Sequence, residues 1–130
     1  MQLQDFQSYI NHFNNREYDR QASYYAPDVV CRVGTMMMNS PQQIIEFYSD
    51  FHKYVDEAVE VEDCVIDQNA MAAIMPTKFI PRADYAKGGL IFKKGIVYEI
   101  VSIVFYRLEY GKIKTITVGR HSYAEHNAAL

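Results

Sequence analysis

The residues of this chain that could move a proton without a cofactor are a tyrosine, two arginines, a histidine and a few carboxylates. Tyr9 lies in LQDFQSYINHF. It has an apolar body and a hydroxyl that needs a partner once buried. That hydroxyl can donate to a substrate carbonyl or to a backbone carbonyl in a core. Arg120 and His121 stand side by side in VGRHS. A guanidinium fixed in a dry site stabilises an enolate or alkoxide. The same group can instead form a salt bridge at a sheet end, to Glu99 or Glu125. An imidazole acts as a base near neutral pH with little tuning. Neighbours in a regular strand point to opposite faces, so Arg120 and His121 do not share one pocket. Arg32, in VVCRVG, is set among apolar residues. It reads equally as a pocket cation or as one half of a salt bridge between subunits. Asp84, Glu99 and Glu125 are the acidic base candidates, each also readable as a solvated surface acid. His126 follows His121 five residues on, which is not a metal-ligand pattern such as HExxH. His12 and His52 fall on helices as surface or packing residues. The reading expects no metal and no cofactor.

These side chains need elements to hold them. Leu3, Phe6, Ile10 and Phe13 recur at helical spacing, with Tyr9 beside Phe6 and Phe13. A second short helix is expected over residues 18–25, stopped by Pro27. Residues 28–33 read as a β-branched strand. Ser40-Pro41 is a helix start, Ser as N-cap and Pro at the first helical position. That helix is expected to run to about Val55, with Ile44, Tyr48 and Phe51 on one face. Residues 58–66, 71–80, 91–108 and 112–123 then read as strands. Pro76 and Pro81 suggest an edge, a bulge or an end in the second of these. Lys87-Gly88-Gly89 marks a loop, and LEYGKIK is a hairpin signal around Gly111. Helices followed by a largely antiparallel sheet make an α+β domain. Residues 97–106 are apolar at both parities, so both sheet faces are expected to be covered, one by the helices and the other by a second subunit.

The 130 residues suit one domain with one core. They are 49% hydrophobic, 14% aromatic and 22% charged, which describes a globular chain. Eleven Tyr and seven Phe can fill a core or line a pocket for flat organic ligands. A net charge of −3 with scattered Lys and Arg gives no nucleic-acid face. The basic doublet Lys93–Lys94 reads as a solvated turn. The most apolar segment, GIVYEIVSIVFY, is interrupted by Glu99 and too short to span a bilayer. The N-terminal residues show no signal-peptide pattern. Cys31 and Cys64 lack metal spacing and point to a reduced, cytoplasmic setting.

FQSYINHFNNREYDRQASYYAPDVV, a helix pair running into YAPDVV, resembles the start of SnoaL-like proteins of the nuclear-transport-factor-2-like superfamily. IVFYRLEYGKIKTITVGRHS resembles the family's last hairpin, and the helix from Ser40 sits where its third helix belongs. The resemblance covers nearly the whole chain. It implies a cone: a strongly curved sheet wrapped around three helices, with an apolar pocket inside and dimers that pair through the sheet. Relatives include polyketide cyclases, ketosteroid isomerases, scytalone dehydratase and limonene epoxide hydrolase; other members have no catalytic role. The fold alone does not fix the reaction.

By this resemblance Tyr9 falls on the oxyanion-binding tyrosine of the ketosteroid isomerases. Val33 falls where they carry the base aspartate, and Val104 where they carry a protonated aspartate. Both acids are missing. Arg120 replaces a tryptophan common in the last strand and points into the cone. If Val33 faces the pocket, alternation turns Arg32 away unless the register slips. Met36–Met38 fall in a loop at the cone mouth, where Met36 and Met38 suit an irregular apolar ligand. Tyr48, Phe51, Tyr98, Val104 and Tyr106 are further lining candidates, and Glu125 sits in a tail able to fold over the mouth. The function implied is a cofactor-free isomerase, cyclase or dehydratase acting on a bulky, apolar, oxygenated intermediate of secondary metabolism. The partners implied are that hydrophobic small molecule and a second copy of the chain. The alternative is a non-catalytic binding or dimerisation module of the same fold.

Overall fold

Phe6, Tyr9, Ile10 and Phe13 bury one side of helix α1 (Leu3–Asn14). Leu3, first of the series, stays exposed at the helix start. The computed structural model describes residues 1–128. Helix α2 (Tyr18–Ala22) is shorter than the spacing suggests. The chain leaves it through a tight turn in which the Tyr24 N–H donates to Gln21 O. Tyr25 already belongs to strand β1 (Tyr25–Val33). Pro27 therefore does not stop the helix. It sits inside β1, where the pairing is interrupted between Tyr25 and Val30. A residue without an N–H is tolerated at such a break.

Met36–Met38 form a short strand, β2, antiparallel to β1, rather than a loop. Helix α3 (Pro41–Phe51) starts as expected: Ser40 Oγ accepts from the Gln43 N–H at 3.1 Å. It ends at Phe51, and Val55 opens the next strand instead of closing the helix. The stretch over residues 58–66 divides into β3 (Val55–Val59) and β4 (Asp63–Ile66). Both pair with β5 (Ala70–Pro81). Pro76 sits at the handover, its carbonyl accepting from the Glu60 N–H. The N–H it lacks would point to that same side, where no ladder runs.

The hairpin β6–β7 (Tyr85–Lys87, Leu90–Phe92) is a separate two-stranded sheet. Strands β8 (Ile96–Glu109) and β9 (Lys112–Asn127) follow, joined at Tyr110-Gly111, both at positive φ. This is the two-residue turn favoured by strand twist. The main sheet runs β2-β1-β9-β8-β5-β3, antiparallel except for the parallel β1–β9 pair. The three helices pack into its concave side, where Phe6 meets Tyr106 at a ring distance of 5.4 Å. This is an α+β cone. The outer face keeps Ile103 47% and Phe105 38% exposed, so helices alone do not cover both faces of β8. No helix among the described residues is long and apolar enough to cross a membrane.

Candidate functional site

The curled sheet and the helices enclose a cavity of about 330 Å³, at the small end of the range for organic ligands. Its inner wall is apolar and aromatic, with Phe13, Phe47 and Phe51 from the helices and Met75, Val104 and Ile116 from the strands. Strand alternation supplies such residues: Cys31 and Val33 of β1 line the cavity, and Val29 on the same face is buried in the core.

Two polar sets enter this wall. The first joins α1, α2 and β1. The Tyr9 and Tyr25 hydroxyls lie 2.8 Å apart, and Gln21 Nε2 donates to the Tyr25 hydroxyl at 2.8 Å. Gln21 is fully buried and its Oε1 has no hydrogen-bond partner among the described residues. The amide donates to the Tyr25 oxygen, and the two hydroxyls share one further hydrogen bond in which either can be the donor. Burial holds the Tyr9 phenol well above its ordinary value, and the neighbouring Tyr25 and Tyr106 add to this. Burial does the same to Tyr48 and Tyr106. These phenols stay protonated at neutral pH and act as donors.

The second set joins α2, the end of α3 and β3. His52 Nε2 lies 2.8 Å from Glu57 Oε1, and His52 Nδ1 lies 2.7 Å from the Tyr18 hydroxyl. The His52 and Glu57 side chains are only 4% and 9% exposed. Glu57 shares the inward face of β3 with Val55 and Val59, and it lines the cavity. Burial raises the Tyr18 phenol, Arg16 opposes the rise and Glu57 adds to it. Neither residue was a sequence candidate for chemistry. Val-Asp-Glu-Ala-Val carries the alternation that turns Glu57 inward, but that signal needs the strand to start at Val55 rather than Ala58. His52 falls on the same helical spacing as Ile44 and Tyr48, which marks it for packing, but nothing local marks Glu57 as its partner.

The lining residues that remain exposed, Gly34, Gly89, Val118 and Arg120, mark the opening. The β6–β7 hairpin reaches across it, and the Thr35 N–H donates to Gly88 O at 3.0 Å. Arg120 stands over the Tyr123 ring at 5.0 Å rather than against a carboxylate. Tyr123 donates to Glu125. His121 falls in a bulge of β9 opposite Val101 and Ser102, exposed and outside the cavity lining. Glu125 is exposed on β9 opposite Tyr98, in a strand rather than a tail, and does not line the cavity.

Of the other expected residues, Tyr9, Val33, Tyr48, Phe51, Val104 and Tyr106 all line the cavity. Val33 and Val104 leave those two positions apolar. Arg32 is exposed on the opposite face of β1, as unslipped alternation requires. Met36 and Met38 lie outside the lining: Met38 is buried in β2, and Met36 packs beside Gly88. Tyr98 is buried behind the lining, its ring 5.0 Å from Phe92 and its hydroxyl accepting from the Lys93 N–H. Among the described residues no group of three or more His, Cys, Asp or Glu converges as a metal site.

Residues 6–116 match the family model of the SnoaL-like domain. The chain belongs to the SnoaL-like family. Solved structures similar to this SnoaL-like protein include a SnoaL-like polyketide cyclase from Agrobacterium tumefaciens str. C58. It is 17% identical, covering 93% of each chain at a TM-score of 0.74. An LEH-like epoxide hydrolase from M. tuberculosis is 12% identical over 92% of this chain and 81% of that one, at 0.73. A computationally designed 17-OHP binder is 14% identical over 91% and 94%, at 0.69. No curated protein matches the chain. At these identities the solved structures show the shared fold alone.

Proposed function

We propose that this SnoaL-like protein is a cofactor-independent isomerase or cyclase acting by proton transfer on a bulky, apolar, oxygenated intermediate of secondary metabolism. The observation that carries this reading is the buried hydrogen-bonded chain Gln21–Tyr25–Tyr9 on the wall of an apolar cavity, with its phenols held protonated by burial. A fixed donor in a dry site stabilises oxyanion charge as it develops on a carbonyl oxygen. Arg120 at the opening supplies positive charge to the polar end of the ligand.

The test uses 2-tetralone, an enolisable bicyclic ketone, in D₂O. Binding is followed by shifts of its NMR signals and exchange of its α-protons by their loss. The native protein accelerates exchange of the bound ketone, and Tyr9→Phe slows it about tenfold or more at similar affinity. A ketone that binds and exchanges only at its solution rate overturns the catalytic reading and leaves a binding module of the same fold.

A second copy of the chain is proposed to cover the outer sheet face. The support is the exposed set Val65, Ile103 and Phe105, since apolar patches of this kind mark contact surfaces. Light scattering tests it: a dimer that becomes monomeric in I103K/F105K supports the reading, and a monomeric native protein overturns it.

A further inference from the structure

We propose that Glu57, oriented by His52 and Tyr18, is the group that takes and returns the proton in this cavity, and that its substrate is a ketone with an acidic α-carbon. The proposal rests on the cavity reading above and assigns the base which that reading leaves open.

The positions where an acid would be expected, Val33 and Val104, are apolar. Yet one carboxylate does line the cavity. A carboxylate is rarely placed in such a wall, because taking it out of water is costly without partners. Here one oxygen, Oε1, is held by His52 Nε2. The other, Oε2, makes no hydrogen bond to any described residue. One oxygen is thus anchored and the other left for a ligand.

The anchor is itself fixed. His52 uses both ring nitrogens, and its ring is stacked on Tyr18 at 5.9 Å and on Tyr48 at 5.7 Å. With Tyr18 donating to Nδ1, the proton on Nε2 is the one that His52 donates to Glu57. Strand β3 is the sheet edge, and two side chains hold it from outside the ladder. Arg16 donates to the Glu57 carbonyl, and Asn14 bonds both backbone groups of Val59. Tyr9, Tyr25, Tyr48 and Glu57 all line the one cavity, and Tyr48 stacks on the His52 ring that holds Glu57. Glu57 and the phenols therefore act on one shared space.

The step balances without a further reactant. Glu57 Oε2 takes a proton from the carbon beside the carbonyl. The C–H electron pair becomes the new carbon–carbon π bond, and the carbonyl oxygen becomes an enolate that accepts from Tyr9. The protonated Glu57 then returns the proton to carbon, and the carbonyl reforms. In a ketone whose enolate is conjugated with a further carbon–carbon double bond, return of the proton to the far end of that bond shifts the double bond and gives an isomer. In D₂O, exchange of the held proton with solvent gives a deuterated ketone.

Glu57 is the catalytic residue here, while His52 is a positioning residue. In the 2-tetralone exchange assay, E57Q keeps the shape and the affinity but loses about 100-fold or more of the rate, the usual share of a general base. H52L loses rate with affinity unchanged, and H52Q, which keeps an N–H donor near Nε2, recovers most of it. Thermal melts confirm that each variant is folded. If E57Q does not fold, E57D replaces it, and a shortened carboxylate gives a reduced rate at native affinity. Exchange abolished in Tyr9→Phe but kept in E57Q overturns the Glu57 assignment and leaves the cavity reading standing. A bound ketone that the native protein does not exchange, or a ketone that does not bind, overturns both.

Discussion

Asn14 closes both backbone groups of Val59, donating to its carbonyl at 2.8 Å and accepting from its N–H at 2.9 Å. Val59 ends the edge strand β3, whose outer side has no neighbouring strand. A side-chain amide does there what a further strand would do, and it ties the C-terminal end of α1 to the strand that carries Glu57.

Replacing Asn14 by Ala strands a backbone N–H and carbonyl at a partly buried site. The expected cost is about 1–3 kcal/mol in urea unfolding. The amides of β3 should lose protection in hydrogen exchange before those of β8. Uniform loss across the sheet would show that Asn14 supports the whole fold rather than this edge.

Gln21 donates to the Tyr25 hydroxyl that bonds Tyr9. Leu at this position removes the donor together with the unpaired Oε1, so stability should change little. Binding of 2-naphthol, whose hydroxyl stands in for an enol, should weaken about fivefold, near the ~1 kcal/mol of one hydrogen bond. Titration followed by naphthol fluorescence measures it. Native affinity in Gln21→Leu would mean that Tyr9 orients its proton unaided.

The cone could be read from the sequence where local signals coincide with burial. Phe6, Tyr9, Ile10 and Phe13 repeat at helical spacing and are buried at that spacing. Ser40-Pro41 and Tyr110-Gly111 act through backbone chemistry that no tertiary contact has to supply. Tyr9, Tyr48 and Tyr106 are expected in the pocket and line it, while Tyr25 is not expected there and Tyr98 lies behind the lining. Three features left no such local mark. Met36–Met38 pair with β1 although methionine is not a favoured strand residue. The β1–β9 pairing is parallel and joins distant segments. The Tyr18–His52–Glu57 array gathers side chains from three elements, and a three-residue error in the start of β3 hid the inward face of Glu57. Arg32 was decided by geometry alone: with Val33 inward and no slip, it faces out.

The hairpin over the opening is held by glycine packing as well as by a hydrogen bond. A Cβ on Gly34 would lie 2.5 Å from Gly88 O, at a φ of +59°. Gly95 has φ +87° but nothing within 4 Å of its Cβ position. Ala at Gly95 should cost only the backbone term, about 1 kcal/mol. Ala at Gly34 adds the collision with the Gly88 carbonyl, so its cost should be larger, about 2–3 kcal/mol. It should also speed release of 2-naphthol in stopped-flow measurements. Equal unfolding costs for the two variants would show that the hairpin tip yields freely.

Alkaline pH should unfold this protein through its cavity wall. Burial pushes the Cys31 thiol up to about 12, from an ordinary value of 9.0. It also holds Tyr9, Tyr48 and Tyr106 well above their ordinary 10.0. Above pH 9 the unfolded chain loses the thiol proton while the folded chain keeps it. The folded state then binds more protons, so stability falls as pH rises. The neutral thiol's contribution is complete below pH 9 and is lost progressively toward pH 12. The phenols join above pH 10 and steepen the fall. One such group at full difference gives a slope of about 1.4 kcal/mol per pH unit. Urea midpoints at pH 8, 9, 9.5 and 10 should decline in the native chain. Cys31→Ala should be less stable at pH 8, because it leaves a void, yet show a flatter decline between pH 9 and 10. A native curve level to pH 10, or an equal slope in Cys31→Ala, would show that the thiol ionises without unfolding the wall that holds it.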